Sequence, residues 1–114
     1  MLKYALIVFA VAAVGGLTLA VSVLRGKLAP WALSLAHAAL GATGIGLLGY
    51  GMMQGATATR VTIALALFVL AALGGFYLAS IHRQQRIAPK GVVLAHAGVA
   101  VVGFLILLST VFAV

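Results

Sequence analysis

The sequence predicts an all-α integral membrane protein, a four-transmembrane-helix bundle made of two tandem parallel two-helix repeats. Three observations carry that expectation. First, 66% of the 114 residues are hydrophobic and only 6% are charged, too few charges to cover a soluble domain of this size. Second, the apolar residues fall into four runs of about 20 residues or more, the length that takes a helix across a ~30 Å hydrocarbon core. Third, the chain matches itself without a gap at an offset of fifty-nine residues: 17 of 55 pairs between 1–55 and 60–114 are identical. They include Phe9/Phe68, Gly15/Gly74, Gly16/Gly75, Pro30/Pro89, His37/His96 and Gly44/Gly103. The chain therefore reads as one membrane domain, 1–114, with repeat 1 at 1–55 and repeat 2 at 60–114.

The first run, Leu2–Leu24, follows a single nearby lysine and contains the small-residue stretch "AVAAVGG". It is too long for a typical signal core and has a counterpart in the second repeat, so it reads as a mature helix. The second, Pro30–Met53, opens with proline, which suits a first helical turn because its missing N–H has no partner there anyway. It is dense in small residues: Ala38, Ala39, Gly41, Ala42, Gly44, Gly46, Gly49 and Gly51. One helix face needs fewer, which points to a second close contact with another protomer or subunit. The third run, Val61–His82, repeats the first, and the fourth, Lys90–Val114, repeats the second. A two-span unit returns the chain to its starting side, so both copies share one orientation about a pseudo-twofold axis along the membrane normal.

Charge sets the expected topology. Seven residues are basic and none is acidic. Arg25, Lys27, Arg83, Arg86 and Lys90 lie in the first and third connections, against Lys3 and Arg60 on the other side. The positive-inside rule then makes the connections between helices 1–2 and 3–4 cytoplasmic and puts both termini outside. Cations confined to helix ends give no nucleic-acid patch. Trp31, Tyr4 and Tyr50 sit near span ends, as interfacial aromatics do. The absence of cysteine excludes disulfides, thiolate metal sites and iron–sulfur ligation.

Two histidines carry the functional expectation. "APWALSLAH" (29–37) and "APKGVVLAH" (88–96) each put a histidine seven residues after a proline, roughly 10 Å into its helix. His37 and His96 thus lie at equal depth on repeat-related helices, and an ionisable group within a span is a functional candidate. One reading is an interhelical hydrogen bond contributing about 0.6–2 kcal/mol. Zinc or copper fits less well, because two imidazoles do not complete a usual site. Coupled transport lacks an intramembrane carboxylate. Bis-histidine ligation of one haem b fits better, needing two neutral imidazoles on facing helices with a slot between them. Gly41 and Gly44 follow His37 at i+4 and i+7, as Ala100 and Gly103 follow His96, and would clear space for a porphyrin face. Gly15, Gly16, Gly74 and Gly75 lie near the same depth on helices 1 and 3. Arg25, Arg83 and Arg86, with Lys27 and Lys90, are placed to approach the haem propionates.

This arrangement resembles the four-helix core of membrane b-type cytochromes, including respiratory cytochrome b and its smaller bacterial relatives. In that family the ligands come from the second and fourth helices, and glycines on the first and third let haem approach the backbone. The resemblance implies His37 and His96 as axial ligands and metal-binding residues, and Gly15/Gly16 and Gly74/Gly75 as the close-approach positions. The larger members carry a second histidine pair near the other surface, and helices 2 and 4 have no histidine there. One haem is implied. The expected function is electron transfer between quinone and a partner, or a haem-bearing anchor in a larger redox complex of a bacterial inner membrane. The alternative is a haem-free structural or assembly subunit. His82, paired in the repeat with Val23, is expected at the interface, with a quinone or proton contact as its second reading.

Overall fold

Apolar runs that cannot rely on water satisfy their backbone polar groups internally, and the helix is how one segment does so. The computed structural model describes residues 1–112. They form α1 (Leu2–Leu24), α2 (Trp31–Met53), α3 (Thr59–Arg83) and α4 (Lys90–Val111). All four are long and apolar enough to cross a membrane. Observed boundaries differ from expectation by two residues at most, except that the expected end at Val114 lies outside the described residues. Pro30 and Pro89 sit one position before the helical turns, at φ −59°. Their carbonyls accept from the N–H groups of Leu33 and Val92.

The chain ends α1 and α3 in the same way. Gly26 (φ 71°) and, fifty-nine residues on, Gln85 (φ 58°) take left-handed backbone. That turn lets Lys27 N–H reach the Ser22 carbonyl at 2.8 Å and Arg86 N–H the Ile81 carbonyl at 3.3 Å, satisfying carbonyls the helix end would leave open. The two tight turns place five of the seven cations at one end of the bundle, called here the basic end. The α2–α3 connection and the N-terminus lie at the other, the far end.

Each helix touches two neighbours, in the cycle α1–α2–α3–α4, so α1 faces α3 and α2 faces α4 across the diagonals. The bundle measures 42 × 21 × 19 Å, against about 40–45 Å for a bilayer with its headgroups. Large apolar side chains point away from it: Val14, Leu17, Leu73 and Phe76 are 62–67% exposed. Helices apolar on every side suit a lipid solvent rather than water.

The largest contiguous buried cluster lies in the far half, while Ala29, Ile81 and Val93 are buried separately near the basic end. Ala5, Leu6, Phe9, Leu48, Val61, Ala64, Phe68 and Leu107 form one buried cluster. Phe9 and Phe68 cross the α1–α3 diagonal with rings stacked 3.8 Å apart at 5°. Leu48, Leu107 and Val61 are the largest side chains sealed from the surface. Of the small residues on α2, Gly44 and Gly51 serve this packing, against Phe9 and against Met1 and Leu2. A Cβ at Gly41, Gly46 or Gly49 would meet nothing within 4 Å.

Candidate functional site

Above the phenylalanine stack, toward the basic end, the other diagonal is bridged by His37 of α2 and His96 of α4. Their ring centres are 6.2 Å apart and their planes lie at 85°. Each ring is held by the first helix of its own hairpin. His37 Nδ1–H donates to the Ala12 carbonyl at 2.8 Å, and His96 Nδ1–H to the Ala71 carbonyl at 2.8 Å. These are equivalent contacts fifty-nine residues apart.

A hydrogen bond at one imidazole nitrogen fixes the tautomer of a neutral ring and leaves a lone pair at the other. Both histidines therefore present Nε2, which has no hydrogen-bond partner among the described residues. Both are half-buried, and no buried side-chain polar atom among the described residues lacks a partner. Two imidazole nitrogens on opposite sides of one metal ion, at the roughly 2.0–2.1 Å usual for such ligands, would separate the ring centres by about 6 Å. The observed spacing of 6.2 Å is close to that distance, with Nε2 of the two rings lying 3.4 and 3.9 Å from where a Cβ at Gly16 and Gly75 would stand.

The glycines divide into two groups. Gly16 and Gly75 are the seats of the imidazoles: a Cβ there would lie 2.8 Å from His37 Cε1 and 3.2 Å from His96 Cε1. Gly15 and Gly74 flank the same rings at 3.9 and 3.7 Å. In this conformation the glycine backbone admits imidazole edges, where a macrocycle edge was expected. Gly44 and Gly103 lie farther from the basic end. A Cβ at Gly44 would fall 2.6 Å from the Phe9 ring, and one at Gly103 3.3 Å from Leu67 and 3.5 Å from Phe68. The face expected to be open for a porphyrin is occupied there by phenylalanine. Gly41 has open space beside it.

Among the described residues no cation hydrogen-bonds to His37 or His96. Arg25 and Arg86 are exposed in the connections, and Arg86 Nη1 donates to Gln84 Oε1 at 2.9 Å. Arg83 lines a groove of about 320 Å³ with Leu28, Ala29, Trp31, His82 and Gln85, which includes neither His37 nor His96. A cleft of about 370 Å³ at the far end, lined by Ala58, Thr59, Arg60, Ser109 and Thr110, is also remote from the pair.

His82 is the residue whose surroundings the sequence left open. Its Nε2–H donates to the Ala29 carbonyl at 2.7 Å, its Nδ1 accepts from the Ser34 hydroxyl, and its ring meets Trp31 edge-on at 5.2 Å. Both nitrogens are satisfied, so the ring acts as a latch between the start of α2 and the end of α3. The related gap between α4 and α1 has Val23, Lys90 and Val93 at the positions of His82, Trp31 and Ser34, and cannot form such a latch. Comparison of the chain with protein families, with curated proteins and with solved structures returned no match, so the site is read from its own residues and geometry.

Proposed function

We propose that this chain is a small membrane cytochrome binding one b-type haem between α2 and α4, with His37 and His96 as axial ligands. The single observation that carries the reading is the presentation of the two imidazoles. They face one another across the bundle at a ring separation of 6.2 Å, each with Nδ1 committed to a backbone carbonyl. That donor set fits haem iron, which takes two neutral imidazoles in bis-histidine sites. Bound there, haem supplies one-electron exchange between ferrous and ferric iron.

The chain's own part is positioning. Ala12 and Ala71 orient the ligands and raise their basicity through the Nδ1–H bonds. Gly16 and Gly75 let the rings sit against α1 and α3. The Phe9–Phe68 stack closes the far half beneath them. In this reading the four helices span a bacterial inner membrane with the basic connections on the cytoplasmic side, and the two hairpins descend from a duplicated unit. Electrons pass between quinone or a redox partner and the haem on the basic side, in a homo-oligomer or a larger redox complex. With one haem in the basic half, the chain alone does not carry electrons across the full bilayer.

A second reading, the haem-free assembly subunit, is favoured by the same hydrogen bonds. His37–Ala12 and His96–Ala71 tie each hairpin together without any ligand. The two readings separate in one experiment. Protein expressed with ample haem and purified in mild detergent is examined by its dithionite-reduced minus oxidised spectrum. Low-spin b-type bands that disappear in both His37→Ala and His96→Ala support the cytochrome. A flat spectrum from well-folded, haem-supplied protein rejects it in favour of the structural subunit.

A further inference from the structure

The groove beside His82 has donors and no acceptor of its own charge class. Arg83 and Trp31 both line it, and neither the guanidinium nor the indole N–H finds an acceptor among the described residues. Gln85 adds an amide, and Leu28 and Ala29 add apolar carbon to the lining. The chain has no aspartate or glutamate anywhere, so no acidic side chain of its own can neutralise Arg83. The groove lies where α2 begins and α3 ends, at the level at which tryptophan favours a membrane interface. An anionic headgroup on an apolar tail matches each of these features: charge to Arg83, acceptor oxygens to Trp31 and Gln85, acyl carbons to the exposed apolar flanks of α2 and α3.

We propose that this groove holds the headgroup of one anionic phospholipid, with its phosphate on Arg83 and Trp31 beside it. The His82 latch gives the site its permanence. By bonding to Ala29 and Ser34 and packing on the Trp31 edge, His82 fixes the groove wall. It also makes the site singular. The repeat-related gap places Lys90 where Trp31 stands and Val23 where His82 stands, so each chain has one such site. Arg83 is thereby assigned to lipid and not to a haem propionate. The inference rests on the helices spanning a bilayer and is independent of haem.

Native mass spectrometry of the full chain, equilibrated with equimolar phosphatidylglycerol and phosphatidylcholine, tests it. The expected result is one retained phosphatidylglycerol, with phosphatidylcholine lost. Arg83→Gln removes a charge-assisted hydrogen bond and lowers occupancy about ten-fold or more. Trp31→Leu, which changes no charge, lowers it as well, whereas Lys3→Gln at the far end leaves it unchanged. Retention that persists in the haem-free His37→Ala/His96→Ala protein keeps this result separate from the fate of the cytochrome reading. Equal retention of the two lipids, or indifference to Arg83→Gln, overturns the proposal. Displacement of the lipid by millimolar inorganic phosphate also overturns it, by making the groove a free-phosphate site.

Discussion

The two halves of the bundle are built on opposite principles. In the far half, the α1–α3 diagonal is bridged by Phe9 on Phe68, and Leu48, Leu107 and Val61 are sealed around that stack. In the basic half, the α2–α4 diagonal is bridged by two half-buried imidazoles, and the residues beside them are glycines and alanines. Lipid tails are as apolar as leucine, so helices in a bilayer associate through packing and interhelical hydrogen bonds rather than through hydrophobic expulsion. The far half uses the first means and the basic half the second. Dispersion packing needs no ligand and leaves none room. Hydrogen bonds at Nδ1 also tie helices together, and they leave Nε2 of each ring without a hydrogen-bond partner among the described residues. The far half holds the largest buried cluster, and the basic half holds the two histidines on which the proposed function rests.

Substitutions in the two halves should therefore fail differently. The largest loss of stability is expected at Leu48→Ala and Leu107→Ala. Both side chains are fully buried, and truncating such residues costs about 2–5 kcal/mol through the cavity left behind. Thermal unfolding in detergent measures it. If the proposed haem is bound, its content in the protein that remains folded should be unchanged, and a selective loss of haem here would erase the distinction between the halves.

Next comes Gly44→Ala. Its Cβ would lie 2.6 Å from a phenylalanine ring pinned against a second ring, and overpacking of this kind costs about 1–3 kcal/mol. Gly103→Ala, fifty-nine residues on, meets its nearest atoms at 3.3 Å and beyond, so it should be the milder of the two. Equal melting points for the two would mean that the Phe9 ring yields freely.

In the basic half, His37→Ala and His96→Ala are expected to cost about 0.6–2 kcal/mol each, the range for an interhelical hydrogen bond in a membrane protein. Any bound haem is lost with either. Gly16→Ala acts through the same ring, since its Cβ would stand 2.8 Å from His37 Cε1 while Ala12 holds the ring in place. Under the cytochrome proposal, displaced haem bands with a small change in melting point are the expected signature, and weaker displacement is expected for Gly75→Ala at 3.2 Å. A large melting-point change without a spectral one would make these glycines packing residues alone.

The smallest effect belongs to Gly46→Ala and Gly49→Ala. Neither new methyl group meets anything within 4 Å, and alanine is favoured over mid-helix glycine by about 0.5–1 kcal/mol. A slight gain in stability is expected. A marked loss, with a change in size-exclusion mass, would reveal that another protomer packs on this face.

The sequence by itself determined the four helices, the near-exact ends of α1 and α2, the short connections that gather the cations, and the matched depth of His37 and His96. These are local properties. Hydropathy over about 20 residues and the 1.5 Å rise per residue fix them whatever the neighbouring helix does. The tertiary structure alone decided which atoms meet. Glycines at 44 and 103 look like open space along a single helix, yet phenylalanines from α1 and α3 fill that space. His82 looks like a lone interfacial residue, yet it latches α2 to α3 through Ala29 and Ser34. The carbonyls of Ala12 and Ala71 have no sequence signature, because every residue has a carbonyl. Only the rotation of one helix against another selects the one that an imidazole reaches, and that rotation is set by packing across the whole bundle.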